Sequence, residues 1–177
     1  MNGRPSPLAL LALVAACGYQ PLYASPGAES YHVHLAHNRT ASAAVAEEVL
    51  RGAREALAKE GALAPGDGFP RLEIEVLRAD ETSEGVLATD SPTGRVPRAS
   101  SSELAVVARG WVARSADAPA ELDTGDLRTG DLSAVPLGDA TREIWQREDS
   151  RRAVARRLGG RIALKILGHP VVTSPSD

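Results

Sequence analysis

Nine apolar residues, Leu8 to Ala16, run straight into Cys17, the only cysteine in the chain. Arg4 is the one charged side chain ahead of them. A short basic region, a short apolar core and small residues at its end make the layout of a secretory leader. The run is too short to cross a bilayer as a helix, which needs about 20 residues. Residues 1–16 are therefore read as a leader, and what folds begins at Cys17. This limits the fold more than any later feature, because a lone cysteine leaves no partner for a disulfide within the chain. Its core must come from packing alone.

Without residues 1–16, 161 of the 177 residues remain, with 19 basic against 23 acidic side chains. That length supports one domain with one two-layer core. The mild acidic excess excludes a general nucleic-acid binder. Aromatic residues are only 3%, so the core must be built from small aliphatic side chains. No later apolar stretch reaches membrane-spanning length.

Residues 17–30 carry Gly18, Pro21, Ser25, Pro26 and Gly27, the composition of a tether. Tyr31, Val33 and Leu35 alternate with His32 and His34, the pattern of a half-buried strand. Two imidazoles on one strand face can ligate a metal. No matching cluster follows, and a solvated strand face is the expectation. Asn38-Arg39-Thr40 fits a glycosylation sequon but is read as a turn leading into a helix.

From about Ala41 to Glu60, Val45, Val49, Ala53, Ala56 and Leu57 form one apolar stripe. Glu47, Arg51, Glu55 and Lys59 are spaced for i,i+4 pairing on the wet side. Thr40 or Ser42 can cap this helix, and Gly61 can end it. Leu72, Ile74 and Val76 alternate with Arg71, Glu73 and Glu75 as a second strand, which 84–88 continues or follows. Residues 89–102, with two prolines and three consecutive serines at 100–102, read as a flexible hairpin connection. A long strand is expected over Glu103–Arg114, with Trp111 on its outward face.

Residues 115–139 read as a loosely ordered loop containing the near-repeat Thr124-Gly125-Asp126-Leu127 and Thr129-Gly130-Asp131-Leu132. Asp123, Asp126 and Asp131 lack the spacing and the glutamate of an EF-hand. Thr141–Glu148 is expected to be the last strand. A closing helix capped by Asp149 or Ser150 should run to about Leu167, with Val154, Leu158, Ile162 and Ile166 facing the sheet. The expected fold class is α+β: a two-layer sandwich of about four mostly antiparallel strands with two helices on one face. It spans 31–168, with a disordered tail at 169–177.

The closing helix is strongly basic. Arg151, Arg152, Arg156, Arg157, Arg161 and Lys165 are candidate contacts for anionic lipid, since guanidinium forks suit phosphate groups. The alternative is a solvated face that offsets a net acidic domain. No Gly-x-Ser-x-Gly, His-Glu-x-x-His or paired Cys/His cluster occurs. No catalytic residue, cofactor or metal is expected, and the chain is not read as an enzyme.

Two resemblances bear on function. Val14-Ala15-Ala16-Cys17 resembles the lipobox of bacterial lipoproteins. It implies cleavage before Cys17, a diacylglycerol on its sulfur and an acyl chain on its new amino group. Cys17-Gly18-Tyr19-Gln20-Pro21-Leu22-Tyr23 resembles the start of the lipopolysaccharide-assembly lipoproteins. Members of that family plug and help assemble the β-barrel translocon of the outer membrane, aiding lipopolysaccharide insertion into its outer leaflet. The resemblance thus implies an outer-membrane β-barrel and lipopolysaccharide as partners. It also implies lipid-anchored residence at the outer membrane, on the periplasmic side or in the barrel lumen. Gly18 in place of aspartate after Cys17 fits outer-membrane sorting. An auxiliary lipoprotein of an ABC-type lipid transporter is the alternative.

Overall fold

The computed structural model describes residues 29–91, 94–136 and 140–170. The expected leader, Cys17, most of the tether and the end of the tail (171–177) lie outside the described residues. The elements run β1 (His32–Asn38), α1 (Ala43–Lys59), β2 (Arg71–Ser91), β3 (Gly94–Ala113), β4 (Leu127–Pro136) and α2 (Ala140–Ile166). The sheet order is β1-β2-β3-β4. β1 runs parallel to β2, and the other two pairings are antiparallel. A parallel pair needs a crossover, and α1 supplies it. The result is the α+β two-layer arrangement expected from the sequence.

Helix α1 forms for the reasons its sequence states. Ser42 accepts a hydrogen bond from the Val45 amide, and Gly61 takes the left-handed conformation (φ 69°) just past the helix. Its stripe of Val45, Val49, Ala53 and Leu57 is buried. Helix α2 buries Val154, Leu158, Ile162 and Ile166 in the same way. These share one core with Leu72, Ile74 and Val76 of β2 and Val106, Ala108 and Val112 of β3.

The two helices touch through glycine. A Cβ on Gly159 would stand 1.9 Å from the Val49 carbonyl oxygen, and one on Gly52 would stand 1.9 Å from that of Arg156. Backbones this close leave room for hydrogen only, so the small residues of both helices set their separation.

Three expected elements are corrected. Residues 89–91 and 94–102 are not a flexible connection; they are strand, the outer part of a long β2–β3 hairpin. Pro97 is tolerated because pairing shifts register beside it, between Leu87 and Ala88. Residues 115–139 are not one loosely ordered loop, since 127–136 form the edge strand β4. Ahead of β4, Glu121 and Val112 exchange both backbone hydrogen bonds, and Thr124 bonds Gly110 through its amide and hydroxyl. Thr141–Glu148 is helix, not strand, so Asp149 and Ser150 lie inside α2 and cap nothing. Ile144 and Trp145 are both exposed there.

β1 is entered through a buried tyrosine. Tyr31 bonds Ala62 and Ala64 through its backbone, and its hydroxyl donates to Glu29 Oε2 at 2.9 Å. Burial first, then the adjacent carboxylate, push this phenol up from 10.0 to about 12. The folded state therefore holds the proton more tightly than the unfolded chain. That contribution is intact below pH 10.0 and is lost as pH rises through about 12. Denaturation midpoints followed over this window should fall more steeply for the wild type than for Tyr31→Phe. Parallel curves would contradict the assignment.

Candidate functional site: a charged groove along the basic helix

Between α1, α2 and β4 lies an open groove of about 1400 Å³. Its lining includes Arg152, Arg156, Arg157 and Arg161 of the expected lipid-contacting set. Arg151 and Lys165 are not part of it. The groove exists because α2 turns its arginines to the two sides of its buried stripe, where each meets a neighbouring element.

Glu48 of α1 is only 7% exposed. Arg156 donates to its Oε2 through Nε at 3.0 Å and Nη2 at 2.8 Å. Arg51 reaches its other oxygen at 3.2 Å. Two arginines on one carboxylate compensate a charge that burial alone would make costly. Glu48 raises the Arg156 pKa further, through the hydrogen bonds first and its charge second. The expected i,i+4 ladder on α1 gives way here to a contact between the helices.

The other members of the basic set are also engaged within the chain. Arg157 pairs with Asp131 of β4 at 2.7 Å. Arg161 donates through Nη1 to the Arg128 carbonyl and to Thr129 Oγ1. Arg151 pairs with Glu81 at 3.0 Å, and Arg152 with Glu148 at 3.0 Å. Lys165 Nζ donates to the Thr124 carbonyl at 2.8 Å. Arg156 thus binds α2 to α1, Arg151 binds it to β2, and Arg157 and Arg161 bind it to β4, while Arg152 pairs within α2 and Lys165 reaches the segment ahead of β4. An anion entering the groove must compete with carboxylates already in place. Glu48, Arg128 and Asp131 were not foreseen as part of this network. Glu48 was the one with a signal, because it sits beside Val45 and Val49 on the buried side of its helix.

On the sheet face away from the helices, His34 Nδ1 lies 2.7 Å from Glu73 Oε2, and His32 Nδ1 lies 2.9 Å from the Gly66 carbonyl. Trp111 is on this open face, with the Arg109 guanidinium 5.5 Å from its ring centroid. No described helix is long and apolar enough to cross a membrane.

No family model matches the chain, and no curated protein matches it in sequence. Solved structures do resemble it in shape. A minor lipoprotein from Acinetobacter baumannii aligns with a TM-score of 0.49 at 12% identity, over 80% of this chain and 93% of that one. The rare lipoprotein B from Shewanella oneidensis gives 0.45 at 14% identity, over 77% and 94%. A PelC dodecamer from Paraburkholderia phytofirmans gives 0.39 at 13%, over 80% and 91%.

Proposed function

We propose that the chain is a lipid-anchored outer-membrane protein that plugs and assists assembly of the β-barrel lipopolysaccharide translocon. The observation that carries this reading is the segment Cys17-Gly18-Tyr19-Gln20-Pro21-Leu22-Tyr23, set directly behind an apolar leader. Acylation of Cys17 supplies the membrane attachment that no described helix provides. Several acyl chains hold a protein stably where one would be marginal. The role is structural: the domain offers a rigid two-layer body, stapled across its layers by the arginines of α2, and it needs no reacting group to fill a lumen. Lipopolysaccharide is the proposed cargo, and the basic groove of α2 is not required to bind it for the plug to act.

Depletion of the protein from its own bacterium tests this reading. New lipopolysaccharide should fail to reach the cell surface, and the translocon barrel should accumulate in an immature form. Undiminished surface lipopolysaccharide with a mature barrel would overturn the proposal. A defect confined to an ABC-type lipid transporter would overturn it in favour of the auxiliary-lipoprotein reading.

A further inference from the structure

The described domain begins at Glu29, at one end of the sheet. Glu29 pairs with Arg114, the residue after β3, and accepts a hydrogen bond from Tyr31 at the start of β1. The chain between Cys17 and Glu29 can span no more than about 40 Å. With Cys17 acylated, this sheet end stays within that distance of the lipid, and the other end of β2 and β3 lies about 60 Å further along the hairpin.

Two large apolar side chains stand out at the tethered end. Phe69, just before β2, is 39% exposed, and Leu122, just before β4, is 57% exposed. Scattered exposed apolar residues are ordinary. These two differ in how they are held. Leu122 has φ 48°, a left-handed conformation that costs a leucine about 1 kcal/mol or more. The hydrogen bonds of Glu121 to Val112 and of Thr124 to Gly110 impose it, so that Leu122 and Asp123 together oppose Trp111 as a bulge. Trp111 in turn faces Glu73 and lies diagonal to Arg71, which pairs with Ala113. Arg71 lays its guanidinium 4.4 Å from the Phe69 ring centroid, and its Nε donates to the Gly68 carbonyl.

Phe69, Arg71, Trp111 and Leu122 thus occupy neighbouring strand ends at the tethered edge of the sheet. We propose that this edge rests on the phospholipid surface that holds the anchor, with Phe69 and Leu122 entering the headgroup layer. An arginine stacked on the entering ring places its cation at phosphate level, as amphipathic side chains do at interfaces. The contact orients the anchored domain so that the hairpin projects away from that surface. It rests on acylation of Cys17 and describes the anchored protein before it enters a barrel, where the lumen wall would take the place of the lipid.

The test uses the mature lipoprotein in phosphatidylethanolamine–phosphatidylglycerol vesicles. With the Cys17 sulfur acylated, Phe69→Cys, Leu122→Cys or Trp145→Cys each leaves a single free thiol for an environment-sensitive fluorophore. Labels at 69 and 122 should shift to the blue and be quenched by lipid-borne spin labels, while the label at 145 stays in water. Trp145→Phe leaves Trp111 as the only tryptophan, and brominated lipid should quench its emission without any label in place. Labels at 69 and 122 that stay in water on floated protein, with Trp111 unquenched, overturn the contact alone. A change at those positions only when a partner protein is added overturns it too. Protein that fails to float overturns the anchor, and the contact with it.

Discussion

Gly159→Ala should cost about 3 kcal/mol or more, whereas Gly160→Ala, one residue on, should gain about 0.5–1 kcal/mol. The two glycines share a helix and a sequence neighbourhood, so propensity predicts the same gain for both. Packing separates them. The added methyl at 159 meets the Val49 carbonyl oxygen at 1.9 Å and the Ala53 amide nitrogen at 2.9 Å. Both are backbone atoms and cannot rotate aside. The helices must separate, and the layer of Leu57, Leu158 and Ile162 beneath them loosens. At 160 the nearest atom, the Gly52 carbonyl oxygen, is 3.7 Å away, an ordinary contact. Gly52→Ala should behave like Gly159→Ala, since it meets the Arg156 carbonyl oxygen at 1.9 Å. Thermal midpoints read the contrast, with a fall of about 10 °C for Gly159→Ala. Equal midpoints for the two variants would refute the close helix crossing.

Cys17→Ala should release the protein from the membrane altogether. The thiol is the only one in the chain, and neither α1 nor α2 can span a bilayer. On the proposed acylation, attachment rests on acyl chains, each buried CH₂ of which contributes about 0.8 kcal/mol. Loss of the sulfur also removes the site at which the first lipid is added. Cell fractionation with mass analysis of the amino-terminal peptide reads the outcome. The wild type should carry a triacylated Cys17 and sediment with membranes, and the variant, cleaved at the small-residue site Val14-Ala15-Ala16, should appear unlipidated in the soluble fraction. Wild-type protein with an unmodified thiol would sink the anchor reading.

The parts of the fold that were legible in the sequence are those whose buried side is apolar. The stripes of α1 and α2 and the alternation of Leu72, Ile74 and Val76 each mark a surface removed from water. β4 escaped notice because its helix-facing positions are Leu127, Thr129 and Asp131, two of them polar. Their partners are Arg161 and Arg157, far along the chain, and periodicity cannot see a hydrogen bond across that separation. The start of α2 was misread for the opposite reason. Ile144 and Trp145 look like a strand's alternating pair, yet both are exposed, and this turn is held by Arg147 and Arg151 reaching Glu81 on β2. Pro92 and Pro97 gave turn signals in a segment that is mostly strand, with a bulge absorbing Pro97.

The candidate site divides along the same line. Six cations on α2 were plain in the sequence. Their engagement was not, because Glu48, Glu81 and Asp131 reach them only through the fold. Glu48 shows how much this matters. In the sequence it is a charge set beside Val45 and Val49 with no visible partner, and in the structure it is the carboxylate that holds the two helices to each other through Arg156.

The central claim is tested most directly by what accompanies the protein out of the membrane. Tagged wild-type protein, extracted in mild detergent and affinity-purified, should bring a large outer-membrane β-barrel with it in stoichiometric amount, identified by mass spectrometry. Cys17→Ala, no longer held at the membrane, should recover much less of it. Recovery of inner-membrane transporter subunits, or of no stoichiometric partner, would contradict the translocon-plug account.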